Sequence, residues 1–271
     1  MGYFQNGLRQ FNKKVIIAGN VMEMYEYEKP VIKGNKKKRL GRSAADFTTD
    51  DIKKENRGKT AQRARTTVRR MANANPQLNK FFTITFAENM QDIRMAHYEL
   101  DKFFKRLKTR HKKFAYICVP EFQKRGAIHF HLLCNLPYID VNVLEKLWGN
   151  GYVKINRLDN VDNVGAYITK YMTKDSIDER LMGKKCYTMS KNLKQPIAYT
   201  DEEEINEIME SLENIKRVRS SEFETEYYGK VSYTQIVCTN QIHLPNIWEK
   251  IKKKARACLV SLPDGLISPF D

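Results

Sequence analysis

The sequence predicts an α+β fold: a central, mostly antiparallel sheet of the ferredoxin-like or split-βαβ kind, with helices to one side and an extension at each end. Three observations predict it. "FFTITF" (81–86) alternates Phe82, Ile84 and Phe86 with Thr83 and Thr85, the period of a strand with one buried face. "MQDIRMAHYELDKFFKRLKTR" (90–110) repeats its apolar residues at helical spacing. "FAYICVPEF" (114–122) and "AIHFHLLC" (127–134) are apolar runs joined by "QKRG", which reads as a hairpin.

Taken in order, residues 33–58 are basic, poor in large apolar side chains and broken by glycines, and read as a solvated or disordered arm. "TAQRARTTVRRMANAN" (60–75) sets Ala61, Ala64, Val68 and Met71 at near-helical spacing among Arg63, Arg65, Arg69 and Arg70, a short cationic helix ending before Pro76. The strand 81–86 follows. In the helix 90–110, Ile93, Ala96, Leu100, Phe103, Phe104 and Leu107 form the buried stripe. After the hairpin, "DVNVLEKLWG" (140–149) is a short helix, "GYVKINRL" (151–158) a strand, and "DNVGAYITKYMTKD" (162–175) a helix with Asp162 as its cap. This β, α, β, β, α, β, α order defines a core over 76–180, between a basic extension (1–75) and a C-terminal extension (181–271) of open role. In the latter, "DEEEINEIMESLENIKRV" (201–218) carries Ile205, Ile208, Met209, Leu212 and Ile215 on one helical stripe. "KVSYTQIVC" (230–238) is a strand and "NIWEKIKKKARACL" (246–259) a closing basic helix.

The chain has 271 residues and a formal charge of +16, so its surface attracts polyanions whatever the fold. Through Lys80 there are 19 Lys and Arg against 7 Asp and Glu, so +12 of the +16 lies in the first third. No secretory signal is recognisable at the N-terminus, and no apolar run approaches the ~18 residues of a spanning helix. A soluble, cytoplasmic protein without a membrane partner is expected. Five cysteines, widely spaced and without a C-x-x-C pair, point to free thiols rather than disulfides or a zinc ribbon.

Two of the five histidines, His129 and His131, stand one residue apart inside an apolar strand. Residues i and i+2 of a strand point to one side, roughly 6.6 Å apart at about 3.3 Å per residue, so both rings can converge on one ion. Two half-exposed histidines on a sheet face are the plainer reading. Glu121 on the neighbouring strand separates the two. If the loop is Lys124, Arg125 and Gly126, Gln123 pairs with Ala127 and Glu121 falls opposite His129. Gly126 then occupies the left-handed position that such a loop needs. A two-residue loop would aim Glu121 at the other face. Pro120 beside it requires an edge or a bulge. Two imidazoles and one carboxylate with open positions suit a divalent metal acting as a Lewis acid on phosphate, and not a closed zinc site.

"YITKYMTK" (167–174) contains Y-x-x-K twice, at Tyr167/Lys170 and Tyr171/Lys174. On a helix these positions share one face, with Val161, Val164, Ile168 and Met172 about a third of a turn away. Packing tyrosines and solvated lysines would satisfy the same pattern. A phenol, of pKa near 10, is a poor nucleophile at neutral pH unless a metal or an adjacent ammonium stabilises the developing charge.

The ordered set "FFTITF", E-x7-"HFHLL" and "YITKYMTK" resembles the three motifs of the HUH endonucleases of the Rep class, the rolling-circle replication initiators of Gram-positive plasmids, integrative elements and phages. The likeness spans roughly 80–175, and the doubled tyrosine is similar to the two-tyrosine initiators. It implies an RRM-like HUH sheet and Mg²⁺ or Mn²⁺ held by His129, His131 and Glu121. It implies, too, attack by a tyrosine on single-stranded or hairpin origin DNA, leaving a 5′-phosphotyrosine and a priming 3′-OH. By that resemblance Tyr171 initiates and Tyr167 partners it, with Lys170 and Lys174 beside them. No G-x-x-x-x-G-K-[ST] appears, so a host helicase, polymerase and single-strand-binding protein would be borrowed.

Phosphates are expected at Arg63, Arg65, Arg69 and Arg70 and at the loop residues Lys124 and Arg125. Two other readings stand beside the nickase. One is a non-catalytic single-strand platform that stacks bases on Phe81, Phe82 and Tyr116. The other keeps the chemistry in a relaxase or transposase.

Overall fold

The computed structural model describes residues 9–34, 50–158, 161, 163–172 and 186–242. Among these residues, two antiparallel five-stranded sheets and five α-helices give the α+β fold that the pattern predicts.

The first sheet is ordered β6-β3-β5-β4-β7, from β3 (Lys80–Thr85), β4 (Tyr116–Phe122), β5 (Ile128–Cys134), β6 (Val153–Arg157) and the short β7 (Thr188–Met189). α2 (Ile93–Arg110) crosses from β3 to β4, and β5 inserts antiparallel between them, which is the split-βαβ arrangement. All six stripe residues expected of α2 are buried, and Asp92 caps the helix by accepting from the backbone N–H of Arg94 at 2.7 Å. α3 (Val141–Trp148) begins at the Asp140 cap and ends on Gly149 in the left-handed conformation.

Helices cover both faces of this sheet rather than one. α2 and α3 pack on the face of Phe82, Ile84, Cys118, Phe130 and Leu132. α1 (Asp50–Asn73) and α4 (Val164–Ile168) pack on the other face, against Phe81, Ile117, Val119 and Leu133. The adjacent pairs Phe81/Phe82 and Leu132/Leu133 are all buried, so the strands present apolar groups on both sides and need two layers of cover. α1 is also longer than the expected 60–75 helix, starting at Asp50; the rest of the expected arm, residues 35–49, lies outside the described residues.

The extensions meet in a second sheet, ordered β8-β1-β2-β10-β9. It comprises β1 (Arg9–Ala18), β2 (Val21–Lys33), β8 (Ile197–Tyr199), β9 (Ile215–Thr225) and β10 (Gly229–Cys238). The β1–β2 hairpin, absent from the sequence reading, turns on Gly19–Asn20 with Ala18 opposite Val21 and Gly19 at φ 65°, the II′ arrangement. α5 (Glu202–Glu210) buries Ile205 and Ile208 against Val15, Ile17, Met22 and Ile236. It stops earlier than the apolar stripe suggests: Asn214 takes φ 55° and Ile215 opens β9. Chain reversal there offers Ile215 a strand partner in Cys238, which local periodicity could not reveal. The expected 246–259 helix lies outside the described residues.

Candidate active site

The β4–β5 turn decides where the polar side chains point. Gln123 N–H donates to the Ala127 carbonyl at 2.8 Å, and Gly126 N–H to that of Gln123 at 2.8 Å. Gly126 has φ 90°, so the loop is the three-residue kind and Glu121 lies opposite His129. β7 pairs only with Ile117 and Cys118, so Pro120 sits where the outer edge of β4 is unpaired.

Glu121, His129 and His131 share the face of the sheet that α1 and α4 cover in part. Directly across from His129, the Glu121 carboxylate leans diagonally, and its Oε2 lies 2.7 Å from Nε2 of His131. Thr83 Oγ1 meets Nδ1 of the same ring at 3.2 Å. Gln123 Nε2 lies 3.1 Å from Nδ1 of His129, while Gln123 Oε1 accepts from Arg125 Nε at 3.2 Å. Each ring therefore has its Nδ1 held by a neutral side chain, which fixes ring orientation. Burial lowers the pKa of both imidazoles; His131 and Arg125 lower that of His129 further, and Glu121 opposes the shift in both. Neutral rings, the ligating form, are favoured. As they stand, no three His, Cys, Asp or Glu side chains among the described residues are gathered closely enough to hold a metal. The Nε2–Oε2 contact of His131 and Glu121 needs a proton between its atoms, and a cation is the other species that could take that place.

Tyr171 covers this pair. Its ring stacks on His131 with centroids 3.9 Å apart and 24° between planes, and Phe81 continues the stack at 5.2 Å from Tyr171. Tyr167 meets Phe81 edge-on at 5.0 Å. Lys170 Nζ sits 5.4 Å above the Tyr167 ring. Burial first, then Tyr167 and Glu121, raise the Tyr171 phenol above its ordinary pKa. The helix carrying them is short: after Ile168 it tightens into a 3₁₀ turn over Thr169–Tyr171, and Met172 leaves helical geometry. Lys174 and the expected cap Asp162 lie outside the described residues. Asn163 caps instead, its Oδ1 accepting from Ala166 N–H at 2.8 Å.

Residues 79–176 match the family model for replication-associated protein ORF2/G2P. No curated protein and no solved structure matches the chain. The match runs from the start of β3 past Tyr171 and so takes in Glu121, both histidines and both tyrosines. It supports a replication-associated protein of the Rep kind, and with it an association with DNA.

Within and around the ORF2/G2P-like segment, the basic residues divide. Arg63 is exposed on α1 and Arg65 half-buried. Arg69 and Arg70, expected to hold phosphates, instead clamp Glu23 of β2: Arg69 Nη2 donates to Oε1 at 2.7 Å and Arg70 Nε to Oε2 at 2.8 Å. Glu23 is 2% exposed, and a carboxylate so buried requires such partners. Lys124 and Arg125 are exposed at the hairpin tip. Phe81, Phe82 and Tyr116 are all buried, so the single-strand platform they were to form has no open ring.

Residues that the sequence reading missed support the ORF2/G2P-like site from behind. Asn73, the last residue of α1, accepts from Gly165 N–H at 2.8 Å through Oδ1 and donates to Asn163 Oδ1 at 3.0 Å. Gly165 lies on the α1 backbone: an added Cβ would stand 2.8 Å from Arg69 C and Cα and nearer still to its carbonyl oxygen. Thr83 and Gln123 orient the histidines. Only Gly165, a glycine inside a helical pattern, left a signal in the sequence.

Proposed function

We propose that this chain is a replication initiator that nicks origin DNA, single-stranded or hairpin, by transferring the scissile phosphodiester to a tyrosine, and later rejoins the strand. The observation that carries the reading is the Tyr171 ring lying on His131, which is itself in contact with Glu121. The ORF2/G2P match over these residues supports the same assignment.

His129, His131 and Glu121 are the residues that would hold Mg²⁺ or Mn²⁺, a nitrogen and oxygen donor set suited to a divalent cation. When bound, such an ion supplies Lewis-acid polarisation of a phosphate oxygen. Tyr171 Oη attacks phosphorus, the P–O3′ bond breaks, and the phenol proton ends on the departing 3′ oxygen, leaving a 5′-phosphotyrosine and a 3′-OH that primes synthesis. The Lys170 ammonium stabilises negative charge as it develops. Tyr167 serves a second transfer, in which the regenerated origin is cut and the displaced strand closed. Lys124 and Arg125 hold flanking phosphates, and host helicase, polymerase and single-strand-binding protein complete the replication machinery.

The test is incubation of the protein with single-stranded origin-containing DNA and Mn²⁺ or Mg²⁺, followed by a denaturing gel and peptide mapping. A covalent adduct on Tyr171 is expected, lost in Tyr171→Phe with DNA binding retained. Absence of any adduct with either metal, while binding persists, overturns the reading. Replication of an origin plasmid then separates an initiator from a relaxase or transposase.

A further inference from the structure

The second sheet is divided by charge. Alternation along the strands puts Glu26, Glu28, Glu222 and Glu224 on the face that α5 covers in part. Glu23 is the one carboxylate of these strands on the opposite face, and Arg69 and Arg70 neutralise it. That opposite face carries Lys14, Arg217 and Arg219 in the register rows of Tyr25, Val237 and Gln235 respectively. Among the described residues neither Arg217 nor Arg219 makes an ion pair. Burial, then the cations Lys33 and Arg70, lower the pKa of Lys14, with Glu23 opposing them.

Aromatic rings run through the same face. Tyr25 and Tyr27 lie 6.3 Å apart at 12°, Tyr233 meets Tyr25 at 5.0 Å, and Tyr228 meets Tyr27 at 5.4 Å. Phe223 on the edge strand β9 is 45% exposed in the same row as Tyr27. Rings at strand spacing, flanked by guanidinium groups and free of unneutralised carboxylates, meet the two requirements of a single strand of nucleic acid: base stacking and phosphate charge. Duplex DNA would hide its base faces from these rings.

We infer that this face of the second sheet, centred on Tyr27, Tyr233 and Phe223 with Lys14, Arg217 and Arg219, is a binding platform for single-stranded DNA, separate from the tyrosine site. Arg70, which bonds Tyr25 Oη at 2.9 Å, follows Arg69, whose backbone lies under Gly165 at the root of the tyrosine helix. α1 thus joins the platform to that helix, and one DNA strand can engage both.

The experiment is fluorescence anisotropy with a labelled oligothymidylate of about 20 nucleotides, the full chain and EDTA, so that cutting plays no part. Arg217→Ala/Arg219→Ala/Phe223→Ala changes exposed residues only. It is expected to weaken binding about tenfold and to make the log Kd against log salt slope shallower by about 1.4, from two lost cations at ~0.7 each. Lys230→Ala, an exposed cation on the other face of the same sheet, should retain full affinity, and because EDTA silences any metal-dependent cutting the outcome is separate from the nicking assignment. Photocrosslinking through the thymines should label residues within 217–235 of the unaltered chain, a readout that does not depend on the variant folding. Unchanged affinity and slope in the triple variant, no label in that segment, or equal competition by duplex DNA would each overturn the inference.

Discussion

Gly165→Ala sets two forces against each other at the root of the tyrosine helix. On intrinsic propensity, alanine favours a helix by about 1 kcal/mol over glycine. The surroundings oppose it. The new Cβ would lie 2.8 Å from two backbone carbons of Arg69, whereas ordinary contact begins near 3.4 Å, and its approach to the carbonyl oxygen is closer. Both obstacles are main chain of a long helix, so α4 must move, by roughly 1 Å. Overpacking of this kind costs about 1–3 kcal/mol, which cancels the propensity gain and leaves a net loss of roughly 0–2 kcal/mol. Function should suffer more, because a displacement of about 1 Å at a reacting group costs about 10²-fold in rate. The rate of adduct formation, with stability from urea unfolding, measures both effects. Gly58→Ala is the control: nothing lies within 4 Å of its Cβ position on α1, so only the propensity gain should be seen, about 1 kcal/mol. A Gly165→Ala protein that is more stable and forms adduct at the unaltered rate would refute the close packing of α4 on α1 as the device that positions Tyr171.

Other perturbations test separate parts of the site. His129→Ala/His131→Ala should abolish metal-dependent adduct formation, and activity that persists in EDTA would remove the metal from the reading. Gly126→Val forces a branched side chain into φ 90° and should cost at least ~1 kcal/mol while disturbing the register that sets Glu121 opposite His129, seen as lost stability and slower adduct formation. Arg63→Ala should leave stability within ~0.5 kcal/mol and lower the salt dependence of DNA binding. Arg69→Ala should instead destabilise by about 1–3 kcal/mol through the half-released Glu23. Equal unfolding curves for these two variants would contradict the division of roles on α1.

What the sequence determined by itself is whatever depends on neighbours along the chain. The α2 stripe follows from local spacing, and of the two turns that the sequence allowed at 123–127, the three-residue one places Gly126 at a φ that glycine adopts easily. With the turn settled, the placement of Glu121 across from His129 follows, since strand register is fixed by loop length. Tertiary structure alone decided the rest. Nothing in "RARTTVRRM" distinguishes an arginine that meets solvent from one that meets a carboxylate some 46 positions away; Arg69 and Arg70 were claimed by Glu23 because β2 returns beside α1. The hairpin Val15–Met22 belongs there too, because its union with β10 and β9 joins opposite ends of the sequence. Likewise the stacking of Tyr171 on His131, rather than on solvent, depends on α4 reaching the sheet over α1, through Asn73 and Gly165. Local periodicity encodes which face of an element is apolar; what that face meets is set by chain reversals whose partners lie far apart in sequence.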